Sequence, residues 1–228
     1  MEILKVENAS KIYKDNGIAV EALKNIDLSI QKGEFLVIAG PSGSGKTTLL
    51  NLLGSLDVPS SGKIFLEGEE LSKKTKKELS QMRLAKLGFV FQAYNLIPVL
   101  TAIENIEFPL MLRGVQERTR RQKALEIMRE LGIAELAKKK PNQMSGGQQQ
   151  RVAVARAIVN EPIIVLADEP TANLDSVAAD NLLDLMERMN REKNITFVFS
   201  SHDLQVIQRG RRLISLKDGS IIDDKICE

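Results

Sequence analysis

The stretch EFLVIAGPSGSGKTTLLNLLGSL, Glu34 to Leu56, sets an apolar run, Phe35 to Ala39, before a loop of glycine and serine and a leucine-rich segment. The apolar run is short and bounded by glycines, which predicts a buried strand; the leucines recur at helical spacing, which predicts a helix opening at the loop. The loop fits G-x-x-x-x-G-K-[ST] with Gly40, Gly45, Lys46 and Thr47, and it stands in the strand–loop–helix context that this phosphate-binding motif requires. Pro41, Ser42, Gly43 and Ser44 fill the motif and Thr48 follows it. Glycines let backbone N–H groups turn inward around a β-phosphate, and the helix N-terminus adds roughly half a positive charge. Lys46 supplies a point charge for the β- and γ-phosphates, and Thr47 a hydroxyl for Mg²⁺.

Such a site needs an acidic anchor at the end of a neighbouring strand. IIVLADEP, Ile163 to Pro170, supplies Asp168 and Glu169 directly after an apolar run. Asp168 is the expected Mg²⁺ anchor, and Glu169 the residue that orients or deprotonates an attacking water. A second glycine-rich helix start, PNQMSGGQQQR from Pro141 to Arg151, offers further bare N–H groups and a serine hydroxyl at Ser145, Gly146, Gly147 and Gln148. Two anion-binding helix ends can share one triphosphate.

Around these motifs the chain reads as strands in its first third: Glu2 to Tyr13, Ile18 to Ile30, Glu34 to Gly40 and Lys63 to Gly68. From Lys73 to about Leu136 it turns mostly helical, at Lys76–Ala85, Ala102–Met111 and Thr119–Leu131, with the strand LGFVFQ between. Strand and helix then alternate: helix Gln148–Asn160, strand to Ala167, helix Val177–Arg191, strand Ile195–Ser201, a short helix from Asp203 and a closing strand pair. Apolar strands joined by helices imply parallel pairing covered on both faces. The expected architecture is α/β, a phosphate-loop core of mainly parallel strands with an N-terminal antiparallel β subdomain and a helical insertion. It forms one domain over 1–228, with core segments 1–92 and 159–228 and helical segment 93–158.

Bulk properties narrow the function. The chain has 228 residues, 43% of them hydrophobic, enough for a real core. Its one cysteine, Cys227, excludes an internal disulfide and points to a reducing compartment. No apolar run reaches membrane-helix length and the N-terminus is unlike a signal peptide. Lys+Arg 32 against Asp+Glu 30 is too balanced for a bulk polyanion binder, so no nucleic acid is expected.

The phosphate loop, SGGQ before a helix, LADEP, NLD and SSHD, in that order, resemble the motif set of ATP-binding cassette ATPases over nearly the whole chain. The resemblance implies two ATP molecules buried between two head-to-tail copies, the signature helix of one facing the γ-phosphate held by the other. Ser145, Gly147 and Gln148 would be the signature contacts, with Met144 where leucine is commoner. Gln92 would touch Mg²⁺ and the water and link the site to the helical insertion. Asp175 would make a cross-dimer contact, although the same residue suits a helix cap for Ser176 onward. His202, the only histidine, would hydrogen-bond the γ-phosphate, and Tyr13 would stack on adenine.

Within that family the sequence looks most like the branch of lipoprotein-release, macrolide-export and cell-division ATPases, which work with membrane permeases. A chain ending at Glu228 implies a permease on a separate polypeptide and a place at the cytoplasmic face of the inner membrane. AYNLIPVL, Ala93 to Leu100, is the expected permease-facing patch, with Tyr94 and Leu96 foremost. The alternative is a soluble cassette ATPase in DNA repair, translation or cofactor assembly. It lacks support from a coiled-coil insertion, a second cassette or a basic tail.

Overall fold

The apolar run Phe35–Ala39 is the strand from which both layers of the core can be counted. In the computed structural model, which describes residues 1–15 and 18–227, it is β3, after the long strands β1 (Glu2–Asp15) and β2 (Ile18–Gln31). There follow α1 (Lys46–Leu53), β4 (Ser61–Leu66), β5 (Glu69–Glu70), α2 (Lys76–Lys86), β6 (Leu87–Phe91), α3 (Ala102–Leu112) and α4 (Glu117–Glu130). The last third is α5 (Gly146–Ile158), β7 (Ile164–Asp168), α6 (Ser176–Lys193), β8 (Thr196–Ser201), α7 (Leu204–Arg209), β9 (Arg212–Lys217) and β10 (Ser220–Ile226).

Two sheets form. One is antiparallel, in the order β2-β1-β4-β5; the other runs β10-β9-β3-β8-β7-β6, parallel from β9 to β6 with β10 antiparallel at its edge. Side chains alternate across a strand, so the fully buried β3 feeds two cores. Phe35 and Val37 join Phe197, Phe199, Val165 and Ala167 under α3 to α6, while Leu36 and Ile38 join Val198, Leu166, Leu49 and Leu52 beneath the antiparallel sheet. This is the α/β architecture the patterning predicts.

The helix α2 falls in the segment 1–92 although helical character begins at Lys73, and its buried Leu79 and Met82 pack into the core shared with α1 and the antiparallel sheet. Helical periodicity reports an apolar stripe and not the surface against which it lies. No helix among the described residues is long and apolar enough to cross a membrane.

Candidate active site

Parallel pairing decides where the motifs meet. The strands β3, β8, β7 and β6 are successive neighbours pointing one way, so their C-terminal ends open on a single edge about 14 Å across. That edge receives the phosphate loop after β3, Ser200 to His202 at the end of β8, Asp168 and Glu169 from β7, and Gln92 just beyond β6. A cleft of 630 Å³ lies there, lined by Ser42, Gly43, Gly45, Lys46, Thr47, Thr48, Gln92, Glu169 and His202 together with Val20 and other residues of β2.

The loop is wedged between neighbours that tolerate no side chain. A Cβ on Gly40 would lie 2.2 Å from the Leu216 carbonyl oxygen, and Gly45, at φ 104°, would carry one 2.6 Å from the Ala22 carbonyl oxygen. Lys46 is 8% exposed and its Nζ donates to the Gly40 and Pro41 carbonyls at 2.8 and 3.1 Å. No side chain caps α1, and its first turn carries no acid, so the positive end of the helix faces the cleft uncompensated. Ser44 is buried, and its hydroxyl has no hydrogen-bond partner among the described residues.

Asp168 and Glu169 divide their partners. Thr47 Oγ1 donates to Asp168 Oδ1 at 3.2 Å, and the Ser200 hydroxyl donates to the same oxygen. Two oxygen ligands from different elements thus converge, the donor set a hard divalent cation prefers, and Mg²⁺ fits the residues present. Glu169 leaves the strand in the left-handed region, φ 44°, with its N–H on the Ser200 carbonyl at 3.0 Å. Its Oε1 meets His202 Nδ1 at 2.7 Å and its Oε2 accepts from Ser201 Oγ at 3.1 Å. The His202 side chain remains 69% exposed toward the cleft. Tyr13 does not line this cleft, but its cross-strand partner Val20 does.

The residues expected as signature contacts lie elsewhere. Ser145, Gly146, Gly147, Gln148 and Asp175 do not line the phosphate cleft. Ser145 Oγ accepts from the Gln148 N–H at 3.3 Å and Gln148 Oε1 from the Ser145 N–H at 3.0 Å, a reciprocal cap on α5. Asp175 Oδ1 accepts from the Ala178 N–H at 2.8 Å and caps α6, one of the two roles the sequence allows. A Cβ on Gly147 would approach Ala178 Cβ to 3.3 Å, and one on Gly146 the Tyr94 hydroxyl to 2.7 Å. The starts of α5 and α6 and the loop after Gln92 therefore form a second constellation.

Sequence reasoning passes over the groups that join the two. Gln150 is fully buried and its Nε2 donates to the Pro170 carbonyl at 2.7 Å and the Phe91 carbonyl at 3.4 Å, next to Glu169 and Gln92 respectively. Asn173 Nδ2 donates to the Gln92 carbonyl at 3.0 Å. Nothing in a run of three glutamines marks the third; the hydroxyls of SSHD are the one legible signal.

The ABC transporter family matches residues 23–172, which spans the phosphate loop, the signature and both carboxylates. The chain belongs to the ABC transporter family. This cassette is 44% identical to the lipoprotein-releasing system ATP-binding protein LolD of Aquifex aeolicus, over 98% of this chain and 97% of that one. It is 41% identical to the macrolide export ATP-binding/permease protein MacB of Mannheimia succiniciproducens, over 98% of this chain and 35% of that protein. Among solved structures, the dimeric cassette MJ0796 of Methanocaldococcus jannaschii superposes with a TM-score of 0.92 at 43% identity, covering 99% of both chains. The same cassette solved as a post-hydrolysis dimer with ADP and Pi also gives 0.92. Family membership makes the chain an ATP-binding cassette ATPase and places it among transporter cassettes, apart from the soluble alternative.

Proposed function

We propose that this cassette hydrolyses ATP at two sites, each closed by the phosphate loop of one copy and the signature helix of the other, and thereby drives a separate membrane permease. The observation that carries the reading is the division of the motifs. Lys46, Thr47, Gln92, Glu169 and His202 share one cleft, whereas Ser145 to Gln148 open a helix outside it. One chain offers half a nucleotide site twice over. The MJ0796 cassette, similar in fold over its whole length, is itself a dimer.

In this reading Gly40 to Thr48 cradle the β- and γ-phosphates, Tyr13 stacks on adenine, and Thr47, Asp168 and Gln92 hold Mg²⁺. The ion, when bound, neutralises phosphate charge as the γ-phosphoryl leaves. Glu169 accepts a proton from the attacking water, and His202 turns from the carboxylate toward the γ-phosphate. Each ATP gives both copies charge-assisted hydrogen bonds of about 1.5–3 kcal/mol, enough in sum to favour closure. Loss of the γ-phosphate removes the contacts that span the interface, and the copies part.

The permease would dock in a groove of 440 Å³ lined by Leu56, Arg83, Phe91, Asn95, Leu112 and Arg156, between the core and the helical lobe. Arg156 fixes its rim by donating to the Tyr94 and Asn95 carbonyls at 2.8 and 2.5 Å. Leu96, by contrast, is half-buried against the helical-side core. By likeness to LolD and MacB, the work done is lipoprotein release, macrolide or peptide export, or related force transmission from the cytoplasmic face of the inner membrane.

Complementation tests the shared site. Lys46→Ala and Ser145→Arg chains should each be inactive alone. Mixed, they form hetero-pairs in which one site combines an intact Lys46 with an intact Ser145, and turnover should return. Absence of recovery in mixtures shown by mass to hold hetero-pairs refutes the division between copies.

A further inference from the structure

The strand β1 places Lys11 and Tyr13 two residues apart, on one face. Lys11 is 8% exposed, and its Nζ sits 4.9 Å from the centroid of the Tyr13 ring. The same Nζ donates to Asp57 Oδ1 at 2.6 Å and to the Val58 carbonyl at 2.8 Å, while Tyr13 Oη donates to Asp57 Oδ2 at 2.9 Å. The ring is therefore held at its face by an ammonium and at its tip by a carboxylate, and the carboxylate is in turn anchored by the ammonium. Asp57 lies in the turn that follows α1, and that turn is stitched to β1: Ser60 Oγ accepts from the Ile12 N–H at 3.0 Å and the Ser60 N–H donates to the Ser10 carbonyl at 2.8 Å.

We propose that Lys11 and Asp57 are positioning residues that fix the Tyr13 ring for a purine base, and so set affinity for the base without affecting affinity for the phosphates. The proposal rests on the reading of Tyr13 as the stacking residue. One ring face is closed by the ammonium, so a base can stack only on the other, and Tyr13 is 41% exposed beside Val20, which lines the cleft. A ring held at face and tip has already lost the rotamer freedom that binding would otherwise remove. The ammonium also draws on the negative π-face beneath it, which favours an electron-rich purine on the opposite face. Burial, then the Asp57 acceptor, outweigh the Thr48 hydroxyl and the Lys11 charge and hold the phenol above its ordinary pKa, so the hydroxyl stays a donor at neutral pH. Burial pushes the Asp57 carboxyl up, but Lys11, the Val58 N–H and Tyr13 together outweigh it and keep the group ionised.

The test is calorimetric binding of two ligands to the full chain, MgATP and magnesium tripolyphosphate, which lacks a base. Tyr13→Ala should weaken ATP about tenfold. Asp57→Asn, Lys11→Met and Tyr13→Phe should weaken ATP about two- to tenfold, and all four should leave tripolyphosphate unchanged. If Tyr13→Ala weakens ATP but the other three do not, the positioning role is overturned and stacking stands. If Tyr13→Ala has no effect either, stacking itself fails. A parallel loss of ATP and tripolyphosphate would also overturn the proposal, because it would place the trio in support of the phosphate loop. Tyr13→Phe removes only a hydroxyl, so it decides the matter should the Lys11 or Asp57 variants not fold.

Discussion

Replacing Glu169 by glutamine separates chemistry from binding at this site, because it removes a charge and a proton acceptor while keeping shape. The carboxylate touches His202 Nδ1 at 2.7 Å and Ser201 Oγ at 3.1 Å. A glutamine retains one acceptor oxygen and gains a donor, and the Ser201 hydroxyl can reverse its direction to accept, so neither neighbour is left unpaired. The loss is then confined to proton transfer from water, a general-base contribution of 10²–10⁴ in rate, or about 2.7 to 5.4 kcal/mol in the barrier. Removing a negative charge beside the phosphates leaves ATP affinity unchanged or tighter. Phosphate release at saturating ATP should fall by that factor, equilibrium binding should hold, and sedimentation with ATP should give a dimer that persists because opening awaits hydrolysis. Turnover within about threefold of wild type would refute the base assignment; a chain that stays monomeric at high concentration while binding ATP would refute closure driven by a shared triphosphate.

Three further outcomes follow from the geometry. Ser145→Arg should abolish steady-state hydrolysis while leaving ATP binding to the isolated copy intact, read by calorimetry beside phosphate release; loss of both would move Ser145 into the cleft of its own chain. Gly40→Ala should lose nucleotide binding and lower Tm, since its Cβ would lie 2.2 Å from a backbone oxygen that only displacement of β9 or the loop can relieve. Asp224 is held below its ordinary 3.8, first by the Arg212 hydrogen bond, so its contribution is present above about pH 3.8 and fades as pH falls through the folded value. Asp224→Asn should therefore be less stable than wild type at pH 7, with the gap in Tm closing on acidification; a gap independent of pH would exclude the ion pair as its cause.

The parts of the fold legible in the sequence are those whose cause is local. Apolar runs of Val, Ile and Phe, the glycine-bounded loop and the leucine spacing after it settle β3, α1 and the alternation that follows, because periodicity and turn chemistry act within a few residues. Pairing is not local. That β3 lies between β8 and β9 joins segments far apart in sequence, with Phe35 opposite Phe197 and Leu36 opposite Arg212, and no residue in these strands encodes the choice. The site is legible to the same degree. Lys46, Thr47, Asp168 and Glu169 announce themselves by type and context, whereas Gln150 and Asp57 act through hydrogen bonds to carbonyls and side chains brought close only by the sheet order. A turn such as DVPSSG reads as punctuation, and its aspartate acquires a role only when β1 passes beside it.

Why the chain spends glycines on two helix starts follows from that sheet order. The helix α1 begins above the parallel edge with its dipole uncompensated, so an anion placed there sees Lys46 and the loop N–H groups from one side. The helix α5 begins with its side-chain cap already satisfied by Ser145 and Gln148, and small residues pack against Tyr94 and Ala178, so backbone can approach a flat surface closely. Because α5 is anchored through Gln150 to the carbonyls of Phe91 and Pro170, a shift of its N-terminus is mechanically tied to the ends of β6 and β7, where Gln92 and Glu169 stand. Binding at the signature end of one copy should thus be felt at the carboxylate of that same copy's own cleft. Gln150→Leu, which keeps volume and removes the two donors, should leave ATP affinity of the isolated copy intact but lower the Hill coefficient of hydrolysis toward one. An unchanged Hill coefficient would mean that the two sites communicate by another route.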